Sequence, residues 1–491
     1  MANPLKQLAG ETAIYGLSTI LARVINFLLV PLYTRVLTQS EYGVTTEFLA
    51  YIAILQVVLV LGLETGCFRF ATKDGVNKSS IFSSAFATTS LLSGLFFALM
   101  IIFADPISSA MGYAGYSNCI IYVGGILFMD CSTSIIFAKL RFEHKALKFA
   151  VIKTIKILTE TCGNLLLFLA LPKYLANNPN SFITNFISPT PDFSYVIFAI
   201  FVSCIVCVIL LLPEILRLKF SMDINLLKKL LAYSLPLMIA GLPGIFNDFI
   251  DRILMRFLCE ESIWRADLGV YQAGVKIAVI MSLFVQMFRY AAEPFFFQRQ
   301  KEKESKLIYA EVMNYFVGFC MLVFLGVVLY IDLIGLFLGR DFRVGLSIAP
   351  IMLFAYMVLG MLFNVDMWYK LAGKTSYAIY ITISGLIVTI ILNIIFMPKF
   401  SYHAAAWAHL ASYLVMLITS LIMGRKYYPI DYNWKKIISL IAIGLAIFGA
   451  STIFGEMQLG WKLAIHTVLI LIYLAIWIII ERKNIKKLIK N

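Results

Sequence analysis

Charge is scarce in this sequence. Asp, Glu, Lys and Arg make up 14% of its 491 residues, where a soluble domain holds about 25%. Hydrophobic residues reach 61%, against about 45–50% in soluble chains. So little polar surface excludes a water-soluble globular protein. Histidine is scarce too, with four in all; His403 and His409 stand off the spacing that puts two ligands on one helix face, so no metal site is expected. Cys162, Cys204 and Cys207 lie in apolar runs and read as small packing residues, not as a disulfide framework. Long polar loops are missing as well. The longest outward segment, about residues 172–192, is rich in Pro and Asn and too small for a folded domain. That leaves little room for the external catalytic loop of a membrane glycan polymerase or glycosyltransferase, so no enzyme activity is expected.

What the chain does have is apolar runs of about 20 residues, each long enough to cross about 30 Å of hydrocarbon as a helix. Fourteen are expected, centred near residues 23, 56, 91, 126, 160, 204, 244, 284, 319, 357, 386, 412, 444 and 470. The run near 160 is the weakest, because Lys153, Lys156 and Glu160 interrupt it. No segment alternates with period two, so the class is helical and not a barrel. The opening stretch, "MANPLKQLAGETAIYGLSTILARVINFLLV", is too long and too charged for a cleaved signal peptide and reads as the first membrane helix.

The net charge of +14 raises the question of nucleic acid, but its distribution answers otherwise. With the N-terminus inside, the inner segments include "KLRFEHKALK", "RQKEKESK" and "ERKNIKKLIK"; the outer ones include "ADPISSAMGYAG" and "LCEESIWRADLG". Inner segments sum to roughly 28 Lys and Arg and outer ones to roughly 8. That asymmetry places both termini and the loops near residues 73, 145, 223, 302, 372 and 430 in the cytoplasm. No nucleic-acid partner is implied.

An internal repeat organises the chain. Helix 1 ends "YTRVLTQSEYGVTTEF" and helix 7 ends "LMRFLCEESIWRADLGVYQ". Arg35 corresponds to Arg256, and Gly43-Val44 to Gly269-Val270. A weaker echo joins helices 4 and 10, with Asp130 before "KLRFEHKA" and Asp366 before "KLAGKTS". Six helices return the chain to its starting side, so the copies should be related by a pseudo-two-fold axis along the membrane normal. The expected domains are an N-lobe over 1–217, a C-lobe over 218–426, and appended helices 13 and 14 over 427–491.

"DRILMRFL", "DLGVYQAGVKIAVI" and "RYAAEPFFF" resemble the second lobe of polysaccharide flippases, and "LARVINFLLVPLYTRVLTQSEYG" resembles their first helix. These belong to the multidrug/oligosaccharidyl-lipid/polysaccharide exporter superfamily, of the O-antigen and capsule type. The lipid II flippases are similar here, with an arginine at the position of Arg23. They continue with an arginine–aspartate pair where this chain has Leu29-Val30, which favours the polysaccharide branch. The resemblance implies a flippase of the bacterial inner membrane that moves an undecaprenyl-pyrophosphate-linked oligosaccharide outward among membrane lipids. It needs no cofactor beyond proton or sodium coupling, and polysaccharide assembly proteins would be its partners. A cation-coupled multidrug exporter of the same superfamily is the alternative.

A charge at the bilayer centre costs roughly 2.5–3.5 kcal/mol on insertion scales, so each one should face a partner or a wet cavity. Arg23 is mid-helix with no acid within a turn. Lys156–Glu160 and Asp248–Arg252 are i,i+4 pairs, as is Arg289–Glu293 in helix 8, with Lys276 farther out and Asp130 in helix 4. Two readings stand side by side: each i,i+4 pair neutralises itself in a helix interface, or the set works together. In the second, Arg23, Lys156, Arg252, Lys276 and Arg289 bind the pyrophosphate, since guanidinium forks match phosphate oxygens. Glu160, Asp248, Glu293 and Asp130 are then charge partners or ion-coupling groups. Pro294 should bend helix 8 beside Arg289. Glu64, Asp366 and Arg256 read as interfacial.

Overall fold

The structure, a computed structural model, describes residues 16, 18–72, 77–178, 181–188, 190–218, 221, 223–300, 304–454 and 457–490. The loops expected near residues 73 and 302, and both chain ends, lie outside the described residues. Among the described residues there are helices and no strand.

Thirteen helices among the described residues are long and apolar enough to cross a membrane. In the first half they are α1 Ser18–Val36, α2 Gln39–Ala71, α3 Lys78–Ile102, α4 Ser117–Phe142, α5 Ala146–Asn177, α6 Ser194–Leu216 and α7 Ile224–Leu258. Then come α8 Trp264–Arg299, α9 Ser305–Val328 and α10 Arg340–Leu371. Tyr377–Tyr427 is next, followed by α13 Trp434–Phe454 and α14 Leu459–Arg482.

Tyr377–Tyr427 reconciles thirteen with the fourteen expected runs. Its 51 residues would make a rod of about 75 Å, far beyond about 30 Å of hydrocarbon. Ser401, at φ 44° and ψ −126°, breaks it. The arms fold back on each other: the Tyr377 and Tyr427 hydroxyls bond, and Ser384 Oγ donates to Thr419 Oγ1 at 3.4 Å. The arms, residues 377–400 and 402–427, are α11 and α12.

Local chemistry sets the helix ends. Thr38 and Glu41 form a capping box that starts α2, each satisfying an orphan N–H of the first turn. Asn77, Asp223 and Asn433 cap α3, α7 and α13 with their side-chain oxygens. Within α2 the helix breaks at Leu61 and Gly62, both left-handed at φ 56° and 67°. A side chain on Gly62 would press on the Ser234 carbonyl of α7. The weak fifth run is a complete helix, with a π-helical turn at Leu166–Ala170 just ahead of Pro172. Pro172 has no N–H to offer Phe168, one turn back, and the wider turn accommodates the missing bond.

The chain divides into two compact units, Met1–Gly269 and Val270–Asn491. In lipid, apolar burial alone does not drive helices together, so close packing and hydrogen bonds must hold them. In the first unit Leu63, Phe70, Ile135, Leu140, Leu211 and Leu230 form a shared core. A hydroxyl seam on α3 holds the α6–α7 connection: the Ser221 N–H donates to Ser83 Oγ at 3.1 Å, and Asp223 N–H to Ser84 Oγ at 3.3 Å. In the second unit, polar contacts fix α13 and α14. His466 Nδ1 meets the Leu329 carbonyl at 2.5 Å, the Tyr473 hydroxyl donates to Gly318 O at 3.4 Å, and Lys436 pairs with Glu481 at 2.5 Å.

Candidate functional site

In the first unit, Lys156 Nζ on α5 donates to Asp130 Oδ1 on α4 at 2.5 Å. The sequence spacing pointed to Glu160, four residues along; the structure supplies a partner on a neighbouring helix. Both side chains are largely buried, at 14% and 20% exposure, so each satisfies the other's need for a counter-charge. Cys204 Sγ on α6 also donates to Asp130, at 3.5 Å. Cys204 and Cys207, three residues apart, are free buried thiols. Lys153 lies over the Phe137 ring at 4.3 Å. Glu160 is half-buried on the same helix.

Arg252 on α7 pairs with its neighbour Asp251 at 3.1 Å and donates to the Asp248 carbonyl at 2.5 Å. Arg252 thus meets the expected neighbour Asp248 at its backbone carbonyl, and the fully buried Asp251 is a carboxylate partner. Arg23 is exposed on α1 and makes no ion pair among the described residues.

In the second unit, Arg289 and Glu293 lie 3.8 Å apart on α8, as their spacing indicated. A third member completes the group: Lys370, at the end of α10, donates to Glu293 Oε1 at 2.5 Å. The Arg289 guanidinium also sits 4.5 Å over the Phe363 ring. The triad is partly open, with Arg289 at 46%, Glu293 at 35% and Lys370 at 23% exposure. Pro294 sits inside α8 with no N–H for the Tyr290 carbonyl. One turn before Lys370, the buried Asp366 accepts a bond from Ser420 Oγ at 2.6 Å, and Ser420 accepts one from the Trp368 indole at 3.0 Å. Lys276 is half-buried on α8.

Two residues read as interfacial lie mostly inside, Asp366 buried and the Arg256 side chain 14% exposed. Arg256 Nη1 donates to Glu47 Oε1 on α2 at 2.6 Å. Glu47 is fully buried and also accepts from Tyr51 at 3.1 Å and from the Tyr113 hydroxyl. Burial and the Glu47 carboxylate push the Tyr113 phenol well above its ordinary pKa, so it stays a donor. Glu64 fits the interfacial reading, half exposed in a 2.9 Å pair with Arg141. Sequence reasoning missed the Glu47 network because its members are local only in space. The available signal was Glu47 itself, an acid inside an apolar run with Tyr51 one turn on.

A chain with this many long apolar helices is a multi-pass membrane protein. The family of polysaccharide biosynthesis proteins matches residues 8–300, and the chain belongs to it. A relative from Haloferax volcanii, the probable low-salt glycan biosynthesis flippase Agl15, is 20% identical over 440 residues, covering 88% of this chain and 87% of its own. The solved lipid II flippase MurJ, in an inward closed conformation, superposes with a TM-score of 0.74 at 14% identity, covering 96% of this chain and 99% of its own. An inward-facing multidrug resistance MATE family transporter of the MOP superfamily gives 0.61 at 12% identity, over 84% of this chain and 94% of its own. At such identities the likeness is one of fold. The relatives are flippases and transporters, not enzymes, in line with the loop argument.

Proposed function

We propose that the protein is a flippase that carries an undecaprenyl-pyrophosphate-linked oligosaccharide from the inner to the outer leaflet by alternating access. It would serve cell-surface polysaccharide or lipopolysaccharide (O-antigen) biosynthesis in a bacterial inner membrane, with both termini cytoplasmic. Family membership and the similarity to a glycan biosynthesis flippase over 88% of the chain support the class of cargo. The observation that carries the headgroup assignment is the open triad of Arg289, Glu293 and Lys370, where two cations share one carboxylate. A pyrophosphate excluded from hydrocarbon needs such cations. Arg23, Lys156, Arg252 and Lys276 are the further proposed contacts, and Asp130 and Asp248 act as charge partners. The lobes proposed to move are 1–217 and 218–426, with 427–491 appended.

Coupling fits the same groups. A phosphate arriving at Lys370 or Arg289 would compete with Glu293 for its cations, so Glu293 is the proposed ion-coupling carboxylate of the second unit. Glu160 is the corresponding candidate in the first unit. The test is a liposome assay that follows a short undecaprenyl-pyrophosphate oligosaccharide under an imposed pH or sodium gradient. Wild-type protein should flip it, and Glu160→Gln and Glu293→Gln should lose gradient stimulation. Full stimulation in both variants makes these carboxylates structural.

Likeness of fold to MATE transporters favours a second reading, a cation-coupled multidrug exporter. Such a cavity should attract cationic drugs, whereas the proposed contacts here are mostly cations. Transport of a cationic dye in place of the lipid-linked glycan would select it.

A further inference from the structure

The longest outer segment has a use beyond joining two helices. We infer that Tyr116, Asn118 and Tyr122, together with Thr184, Phe186 and Ser188, line a binding pocket for a neutral saccharide. The side of the membrane and the class of cargo rest on the function proposed above. The pocket is a cavity of about 360 Å³, within the ~300–1,000 Å³ typical of small-molecule sites. It lies wholly in the first unit, between the start of α4 and the approach to α6.

Its chemistry is selective by exclusion. Tyr116, Tyr122 and Phe186 supply rings, and Asn118, Thr184 and Ser188 supply amide and hydroxyl groups. None of its lining side chains is charged. Such a wall offers nothing to balance a phosphate and no acid for a cation. It suits a ligand that is uncharged, rich in hydroxyls and apolar on one face. A pyranose ring is that ligand: its C–H face lies on an aromatic ring and its hydroxyls meet amides and hydroxyls.

The pocket is built rather than incidental. Three tyrosine hydroxyls tie the long segment down: Tyr122 donates to the Phe186 carbonyl at 2.5 Å, Tyr195 to the Ser188 carbonyl at 2.9 Å, and Tyr116 to Asp192 at 3.2 Å. Asp192 in turn accepts from the Ser194 N–H at 2.8 Å. Behind them the Phe193 ring lies 4.6 Å from that of Tyr116. A wall fixed in this way loses little entropy on binding. Phe186, 45% exposed at the rim, is the open ring on which a sugar would lie.

The experiment uses the full-length protein in lipid nanodiscs and saturation-transfer NMR. The probes are lactose and chitobiose, with inorganic pyrophosphate as the charged control. At least one disaccharide should receive saturation. Phe186→Ala should weaken its binding about 3- to 10-fold, and Thr184→Trp, which fills the cavity, should abolish it. Asn118→Ala, at an exposed lining position, gives a third variant with little risk to folding. Saturation of neither disaccharide overturns the inference. So does binding that all three variants leave unchanged, or pyrophosphate binding that Thr184→Trp blocks. Wild-type flipping of the lipid-linked glycan without saccharide binding removes only the pocket; saccharide binding without flipping removes only the transport reading.

Discussion

Gly43 and Gly269, matched in the sequence as positions of an expected repeat, lie against each other through their backbones. A side chain on Gly43 would collide with the Arg265 carbonyl, four residues before Gly269; one on Gly269 would collide with the Gln39 carbonyl, four residues before Gly43. The contact is reciprocal, as between two copies of one surface. Gly43→Ala and Gly269→Ala should each lower stability by about 1–3 kcal/mol through overpacking. Gly449→Ala, with open space around it, should not. Thermal unfolding in detergent gives the comparison, and equal melting temperatures would refute the close approach.

The Glu47–Arg256 bond should behave as a buried ion pair. Glu47→Gln leaves the guanidinium without its counter-charge and should cost about 3–5 kcal/mol. Glu47→Leu combined with Arg256→Met should recover much of that loss, because no charge is left stranded. A double variant no better than the single one would mean that the residues do not act as a pair.

For Lys156 the expected partner is Asp130. Asp130→Asn and Lys156→Met should each destabilise, and their effects should be strongly non-additive in a double-mutant cycle. The same cycle between Lys156 and Glu160 should show a smaller coupling. Greater coupling to Glu160 would restore the local pair.

Much of this was legible in advance, for identifiable reasons. The helices are dictated by apolar runs, and Thr38-x-x-Glu41 marks a helix start in the sequence itself. Arg289 and Glu293 meet because one helical turn separates them. Lys370 and Asp130 could not be placed from spacing, since each reaches its partner only after helices are set side by side. Arg256 was undervalued for the same reason: near a helix end it looks interfacial, and only the buried Glu47, 209 positions away, shows otherwise. The α11–α12 boundary was readable because a span cannot exceed the bilayer, although its turn at Ser401 needs no loop.

Arg23→Ala should abolish export and leave expression intact. The residue is exposed on α1 and holds no ion pair among the described residues, so its loss strands no counter-charge there, and removing a mid-membrane charge eases insertion. Wild-type export by the variant would make Arg23 a bystander.

Topology is testable at exposed positions. In a background with the eight native cysteines replaced by serine, a cysteine at Ser262 should be labelled from outside by an impermeant maleimide. One at Asp431 should be labelled only after permeabilisation. The reverse pattern would invert the whole assignment.

The closed pairs Lys156–Asp130 and Arg252–Asp251 also bear on what voltage can do. A neutral pair carries no gating charge, so shifting it through the transmembrane field does no electrical work. The field would act instead on the cargo. Two negative charges leaving a negative interior gain about 4–5 kcal/mol per 100 mV, at ~2.3 kcal/mol for each. A charged headgroup should therefore cross faster as the interior is made more negative, and its rate should depend on the potential more steeply than that of an uncharged analogue carried by the same protein.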